Sequence, residues 1–270
     1  MLIYNGPYFK DNLNLKQVKK YTKQRNAKAA MWTYDYDCEE QTSWYHLICD
    51  DPTLEAENNP RKKTRYYIRR SLKSCVVHEI TCQDLLEHGY DVYVKASSRY
   101  RNFTPNSEGD FKQEISNACQ ERNGQPIGVF VNGKLIAYAM VYLKYKSLKI
   151  ATAFFDPDYS KSYPMYGLYY YFQSYLKKEN CVEVTNGARP LLHETNIEEF
   201  LLRLGWRKAY ARLGLYVPKS VEILLSGVRF TWPLWKYIVP NKQLHLMRAL
   251  LEAKKIAKMT RPGQNRSREK

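Results

Sequence analysis

The chain has 270 residues, enough for one large domain or for a domain with additions. A hydrophobic fraction of 44% excludes general disorder. The net charge of +16 is concentrated in residues 16–28, 61–73 and 253–270, which points to local anion sites and not to a uniformly cationic surface.

Tyrosine is abundant, at 24 residues, and suits half-wet grooves because the ring is buried while the hydroxyl stays polar. The cysteines Cys38, Cys49, Cys75, Cys82, Cys119 and Cys181 form no C-x-x-C pair, and the histidines do not cluster with them. That spacing argues against zinc. There is no N-terminal apolar signal core and no apolar run long enough to span a bilayer. The expectation is a cytoplasmic chain with reduced thiols.

In chain order, residues 1–59 form an N-terminal extension. Leu15 to Ala30 reads as a basic helix; Ala30 to Tyr36 and Ser43 to Cys49 read as strands. Asn59 is placed as an N-cap and Pro60 as the first residue of a helix running to Cys75. Ile68, Leu72 and Cys75 make its apolar ridge. Arg61, Lys62 and Lys63 put cations at the positive end of the helix dipole, a placement that a bound phosphate or carboxylate would reward. The alternative is a solvated basic face screened by salt.

Val76 to Ile80 alternates as a strand, and Gln83 to Tyr100 and Glu108 to Glu121 read as helices. Ile127 to Val131 and Leu135 to Tyr145 are strands joined by Asn132-Gly133, a two-residue hairpin signal. Lys149 to Phe155 is a third strand, and Tyr163 to Lys178 a helix with Pro164 near its start. Cys181 to Thr185 is a strand stopped by Asn186-Gly187. A polar loop follows. Asn196 and Glu199 then have capping-box spacing, and Ile197, Phe200, Leu201 and Leu204 share a helical face. Gly205 sits where a left-handed C-cap belongs, and Trp206 opens a last strand. Residues 218–270 read as a helical extension with a basic, disordered tail; its aromatics Phe230, Trp232, Trp235 and Tyr237 beside basic residues also suit a membrane surface or nucleic acid.

Residues 75–217 thus run strand, two helices, three strands, helix, strand, helix, strand. That order resembles the GNAT superfamily. The resemblance implies an α/β (α+β) fold: a mixed, mostly antiparallel sheet flanked by helices, here as a core over residues 60–217 with extensions at both ends. The segment Lys62-Lys63-Thr64-Arg65-Tyr66-Tyr67-Ile68-Arg69-Arg70-Ser71-Leu72-Lys73 is similar to the Lys-x-Arg-x-x-Ile-Arg-Lys helix that precedes the core in FemAB-like transferases. That subgroup includes aminoacyl transferases of peptidoglycan bridges and acetyltransferases of polysaccharide clusters. His193 to Leu201, with Gly205-Trp206-Arg207-Lys208-Ala209-Tyr210, looks like a motif of bacterial GNAT-like proteins.

Two positions depart from the superfamily pattern. The glycine-rich loop whose N–H groups hold the coenzyme A pyrophosphate is replaced by Asp158 to Gly167, with one glycine and with Pro164, which has no N–H. Leu201 stands where many relatives carry a tyrosine that protonates the leaving thiolate.

The resemblance implies transfer of an acyl group from a coenzyme A thioester such as acetyl-CoA, or of an amino acid from aminoacyl-tRNA. The recipient would be an amine or hydroxyl of an anionic acceptor, a small molecule or glycan precursor, and no metal is required. Strand backbone around Phe154 to Asp156 would polarise the donor carbonyl, with Phe154, Phe155, Tyr163 and Gly167 beside the cofactor. Lys62, Arg65 and Arg69 would hold phosphate, and Arg189 and Asn196 an anionic or amide substrate; Asn196 also reads as a plain helix cap. For the proton, His193 titrates near neutral pH, although a lone loop histidine is more often structural. Glu183 and Asp156 are the alternatives. A second functional class remains open: a nucleic-acid-binding protein on a non-catalytic GNAT-like scaffold, whose affinity would fall steeply with salt.

Overall fold

The computed structural model describes residues 2–4, 15–55, 58–99, 104–120, 123–178, 180–192, 196–223, 225 and 241–262. Its elements are β1 (Leu2–Tyr4), α1 (Leu15–Gln24), β2 (Ala30–Tyr34), β3 (Trp44–Cys49), α2 (Lys62–Ser74), β4 (Val76–Glu79), α3 (Cys82–Ser97) and α4 (Glu108–Gln120). They continue with β5 (Gln125–Val131), β6 (Lys134–Lys144), β7 (Ser147–Phe155), α5 (Pro164–Gln173), β8 (Glu183–Ala188), α6 (Ile197–Arg203), β9 (Arg207–Tyr216) and α7 (Asn241–Met259). The core order is the one expected, and the architecture is mixed α/β, a mostly antiparallel sheet flanked by helices. His193, the aromatic segment containing Trp232 and Trp235, and the tail beyond residue 262 lie outside the described residues.

Two compact units divide the chain. The larger comprises residues 48–187 and 197–207. Its sheet runs β8-β7-β6-β5-β4, antiparallel except for the parallel β7/β8 pair. The β5/β6 hairpin turns on Asn132 and Gly133 with φ of 49° and 78°, the double positive φ that a type I′ turn requires. On one face α3 and α4 pack Leu85, Val92, Tyr93, Phe111 and Ile115 against Tyr138 and Met140. Thr81 and Asp84 start α3 with a reciprocal capping box. On the other face α5 buries Leu168, Tyr169 and Phe172, and it also packs on α2.

Helix α2 starts later than its sequence suggests. Arg61 occupies the N-cap with no side-chain cap bond, and Asn59 Oδ1 accepts from the Arg61 N–H at 3.0 Å. Its buried residues are Thr64, Ile68 and Ser71, while Leu72 is 48% exposed, so the packed stripe is rotated from the expected ridge. The reason is close packing: two small residues, Ser71 on α2 and Gly167 on α5, let the helices meet there.

The expectation of reduced thiols fails at one pair. Cys82 and Cys119 form a disulfide, Cα to Cα 6.4 Å, between the start of α3 and the end of α4. Sequence spacing could not reveal it, because the antiparallel helix pairing is what brings residues 37 apart together. Cys38, Cys49, Cys75 and Cys181 are free thiols.

The smaller unit gathers residues 1–47, 188–196 and 208–270. There β1 lies parallel to β2, and β2 pairs antiparallel with β9, Ala30 opposite Tyr216 through Tyr34 opposite Arg212. Ala253 and Ile256 of α7 pack on Met31, Ala211 and Leu213. Buried Arg212 donates to Asp35 at 2.7 Å, to Glu40 at 2.5 Å and to the Thr260 carbonyl at 2.7 Å. The units therefore cut across the segments 1–59, 60–217 and 218–270, since strand pairing ties β9 to the N-terminal extension. Among the described residues no helix is long and apolar enough to cross a membrane.

Candidate active site

The larger unit's sheet opens between β7 and β8. Their parallel pairing covers Ser147 with Glu183, Leu148 with Val184, and Lys149 with Thr185. Beyond that, no further pair joins them among the described residues, although β7 runs on to Phe155 and stays paired with β6 throughout. The register of β6 and β7 slips between Met140, opposite Thr152, and Val141, opposite Ile150, so Ala151 is an extra residue in β7. Such a bulge increases local twist and bends the strand. Ala151 is exposed and Thr152 to Phe155 are half-buried, in the middle of a sheet where interior strands are normally covered. The backbone N–H and C=O groups on this edge of β7 face a fork and not a partner strand.

Strand β8 continues through Asn186 and Gly187 where the sequence suggested a stop, with Gly187 at φ +85°. That positive φ re-aims the chain where the fork widens. The other side of the fork is held from α5. The Tyr169 hydroxyl donates to Asn186 Oδ1 at 2.7 Å, and its ring packs among Phe172, Phe200 and Trp206. Burial pushes the Tyr169 phenol well above its ordinary pKa, which keeps it a neutral donor.

Each candidate residue has a defined place. Phe154 contributes its ring to the core, 5.4 Å from Tyr93 and 5.6 Å from Tyr138 by ring centroids. Phe155 lies under the Arg99 guanidinium at 4.7 Å. Asp156, 2% exposed, ends β7; its carboxylate accepts from Lys95 Nζ at 2.8 Å and from the Asp158 N–H at 3.0 Å. Lys95 also reaches Asp158 at 2.8 Å, and these two hydrogen bonds, Asp156 first, raise the lysine pKa. Asp156 is thus engaged in a cap and an ion pair. Glu183 accepts from Ser147 Oγ at 2.7 Å at the closed end of the fork.

The segment before α5 is a 3-10 turn over Pro157–Ser162. Its amides serve its own fold: Asp158 N–H to Asp156 Oδ1, Tyr159 N–H to the Asp156 carbonyl, and Tyr163 N–H to the Ser160 carbonyl. Tyr163 is left-handed at φ 55° and stacks on Tyr67 at 4.4 Å. A Cβ at Gly167 would run into the Ser71 hydroxyl. The Asp158, Tyr159 and Tyr163 N–H groups are therefore taken up within the turn. Leu201 is wholly buried and presents no proton donor.

On α2, Arg65 is committed to the Asn59 carbonyl at 2.6 Å, while Lys62 and Arg69 are exposed. Arg189 belongs to the smaller unit, where it donates to the Ser43 carbonyl at 3.0 Å; Asn196 is exposed just before α6. The structure therefore gathers Phe154, Phe155, Asp156 and Glu183 along the two strands of the fork. Lys62, Arg65, Arg69, Tyr163 and Gly167 cluster about the α2/α5 packing. Sequence reasoning missed Ala151 and the Tyr169–Asn186 pair. No sequence signal marks the bulge, whereas Tyr169 lies between Leu168 and Phe172 on a visibly apolar helix.

No family model matches the chain, and no curated protein sequence matches it significantly. Solved structures do. One is FemX, with a TM-score of 0.57 at 10% identity over 83% of this chain and 77% of that one. Another is a C-terminal domain from Agrobacterium fabrum described as a lysylphosphatidylglycerol synthetase, with a TM-score of 0.54 at 13% identity over 80% of this chain and 75% of that one. A third is L-PGS from Bacillus licheniformis, with a TM-score of 0.50 at 13% identity over 78% of this chain and 75% of that one. The chain shares the fold of these structures.

Proposed function

We propose that the fork between β7 and β8 holds an acyl donor and that the chain is an acyl- or aminoacyl-transferase acting on an amine or hydroxyl of an anionic acceptor. The observation that carries this reading is the unpaired edge of β7 beyond the Ala151 bulge. Fixed N–H donors in a half-buried slot stabilise the oxyanion as the acceptor attacks, and they need no reorganisation at that moment. The acceptor's lone pair forms the new C–N or C–O bond, and the donor's C–O or C–S bond breaks. The proton passes from the acceptor to the leaving oxygen or sulfur, with Glu183 as its carrier in this unit. Alignment of the two reactants supplies much of the rate. Asp156 positions the end of β7 through Lys95 and its own cap bonds.

Both acetyl-CoA and aminoacyl-tRNA fit this chemistry. The internally satisfied amides of the 3-10 turn favour the aminoacyl ester over coenzyme A. Backbone NMR of the labelled protein tests the reading, with coenzyme A, acetyl-CoA and an aminoacylated acceptor-stem mimic as titrants. Shifts confined to Ala151 to Phe155, Asn186 and Gly187 are expected with at least one of them. If all three leave those amides unmoved, the reading fails. A non-catalytic nucleic-acid binder is the second reading, favoured by the basic face of α1, where Lys16, Lys19, Lys20 and Lys23 are exposed. It predicts RNA binding that weakens steeply with salt and leaves the fork amides untouched.

A further inference from the structure

Lys149 stands where the fork begins, as the last residue of β7 paired with β8. It lies opposite Tyr142 of β6, and paired residues share a face of the sheet. Tyr142 packs against the α3/α4 cluster, so the Lys149 side chain belongs to that face, away from Tyr169 and α5. Glu183 shares the face but accepts from Ser147, its own register partner. Lys149 is half-buried, yet no hydrogen bond or ion pair reaches its ammonium among the described residues. Burial lowers its pKa, and among the described residues no charge enters that shift, neither Glu183 and Tyr142 on this face nor Glu114 on α4. An ammonium taken out of water without a counter-charge destabilises the fold. A bound anion would supply the missing counter-charge.

Resting on the reading of the fork as the transfer site, we infer that Lys149 is its anion-binding residue, taking a phosphate or carboxylate group carried by the acyl acceptor. This assigns the acceptor to the α3/α4 face of the fork. It also moves anion recognition away from the basic first turn of α2, where Arg65 is already committed. An anion two or three bonds from the acceptor's amine or hydroxyl would leave that nucleophile beside the unpaired edge of β7.

The test follows the lysine Cε resonances of 13C-labelled protein, with Lys149 assigned by its loss in Lys149→Met. Inorganic phosphate and acetate are titrated in separate arms. One or both should shift the Lys149 signal saturably and raise its apparent pKa toward that of an ordinary lysine. Lys149→Met should weaken that binding at least tenfold, Lys149→Arg should retain most of it, and Lys62→Met should change it less than twofold. Lys149→Met should also melt higher than the wild type, because it removes an uncompensated half-buried charge. A Lys149 signal and pKa unmoved by both anions, or equal affinity in Lys149→Met, overturns the inference. Donor-induced shifts at Ala151 to Phe155 report separately on the fork, so failure of one is distinguishable from failure of the other.

Discussion

Gly167 tests whether the α2/α5 contact is a packing solution or a relic of a phosphate loop. Replacing it with alanine puts a methyl group into the Ser71 hydroxyl, with Ser71 Cβ at 3.4 Å and Val77 Cγ2 at 3.6 Å just beyond. Overpacking of this size costs about 1–3 kcal/mol. Alanine in a helix recovers about 0.5–1 kcal/mol over glycine, so Gly167→Ala should lose about 1–2 kcal/mol net. Ser71 Oγ is fully buried and has no hydrogen-bond partner among the described residues. Ser71→Ala should therefore be neutral or stabilise by about 1 kcal/mol. In the double variant the clash vanishes, the other two contacts are of ordinary length, and the helix gain remains. It should exceed wild-type stability by about 1 kcal/mol, giving a coupling of about 1–3 kcal/mol. Urea unfolding of the four proteins, followed by circular dichroism, measures the cycle. If the two effects add to within about 0.5 kcal/mol, close helix approach is not what Gly167 provides, and the packing argument is refuted.

Further expectations concern the thiols and the ion pairs. Reducing Cys82–Cys119 opens a loop closed over a separation of 37 residues, and the chain-entropy relation gives about 4 kcal/mol for it; urea midpoints with and without reductant measure the loss. An unchanged midpoint would mean the bond does not form. Cys49 is 2% exposed, and burial pushes its thiol up to about 12, so iodoacetamide at pH 8 should leave it unlabelled until the protein unfolds; native labelling there would contradict its placement. The Asp158 carboxyl is held below its ordinary range by its hydrogen bond from Lys95. Its folded pKa lies below its unfolded one, so its contribution is present above the unfolded carboxylate pKa and is lost as pH falls through the folded one. Lys95→Met should flatten the fall in urea midpoint below about pH 4. A Lys95→Met acid profile parallel to that of the wild type would remove the pair from the account.

Much of the larger unit was legible because its signals are local. Asn132-Gly133 requires two positive φ values whatever surrounds it, and Gly205 takes φ +94° at the end of α6 as a C-cap should. Apolar periodicity located α3, α4, β6 and α5 to within a few residues. The element order that carries the GNAT resemblance is the sum of such local decisions. Less visible were features that depend on two distant stretches meeting. Arg65 reads as a free cation in a basic helix, and only the path of the chain through Asn59 shows a carbonyl waiting for it. Cys82 and Cys119 look unrelated until α3 and α4 lie antiparallel.

The order of strands and helices, the turns and the basic stretches follow from short-range sterics and hydrophobic pattern, and the sequence alone determined them. Whether β7 and β8 stay joined, where the Ala151 bulge falls, and that Lys149 is half-buried at the start of the fork were decided only by the tertiary structure. Those outcomes depend on register and burial, which arise when several elements compete for the same space.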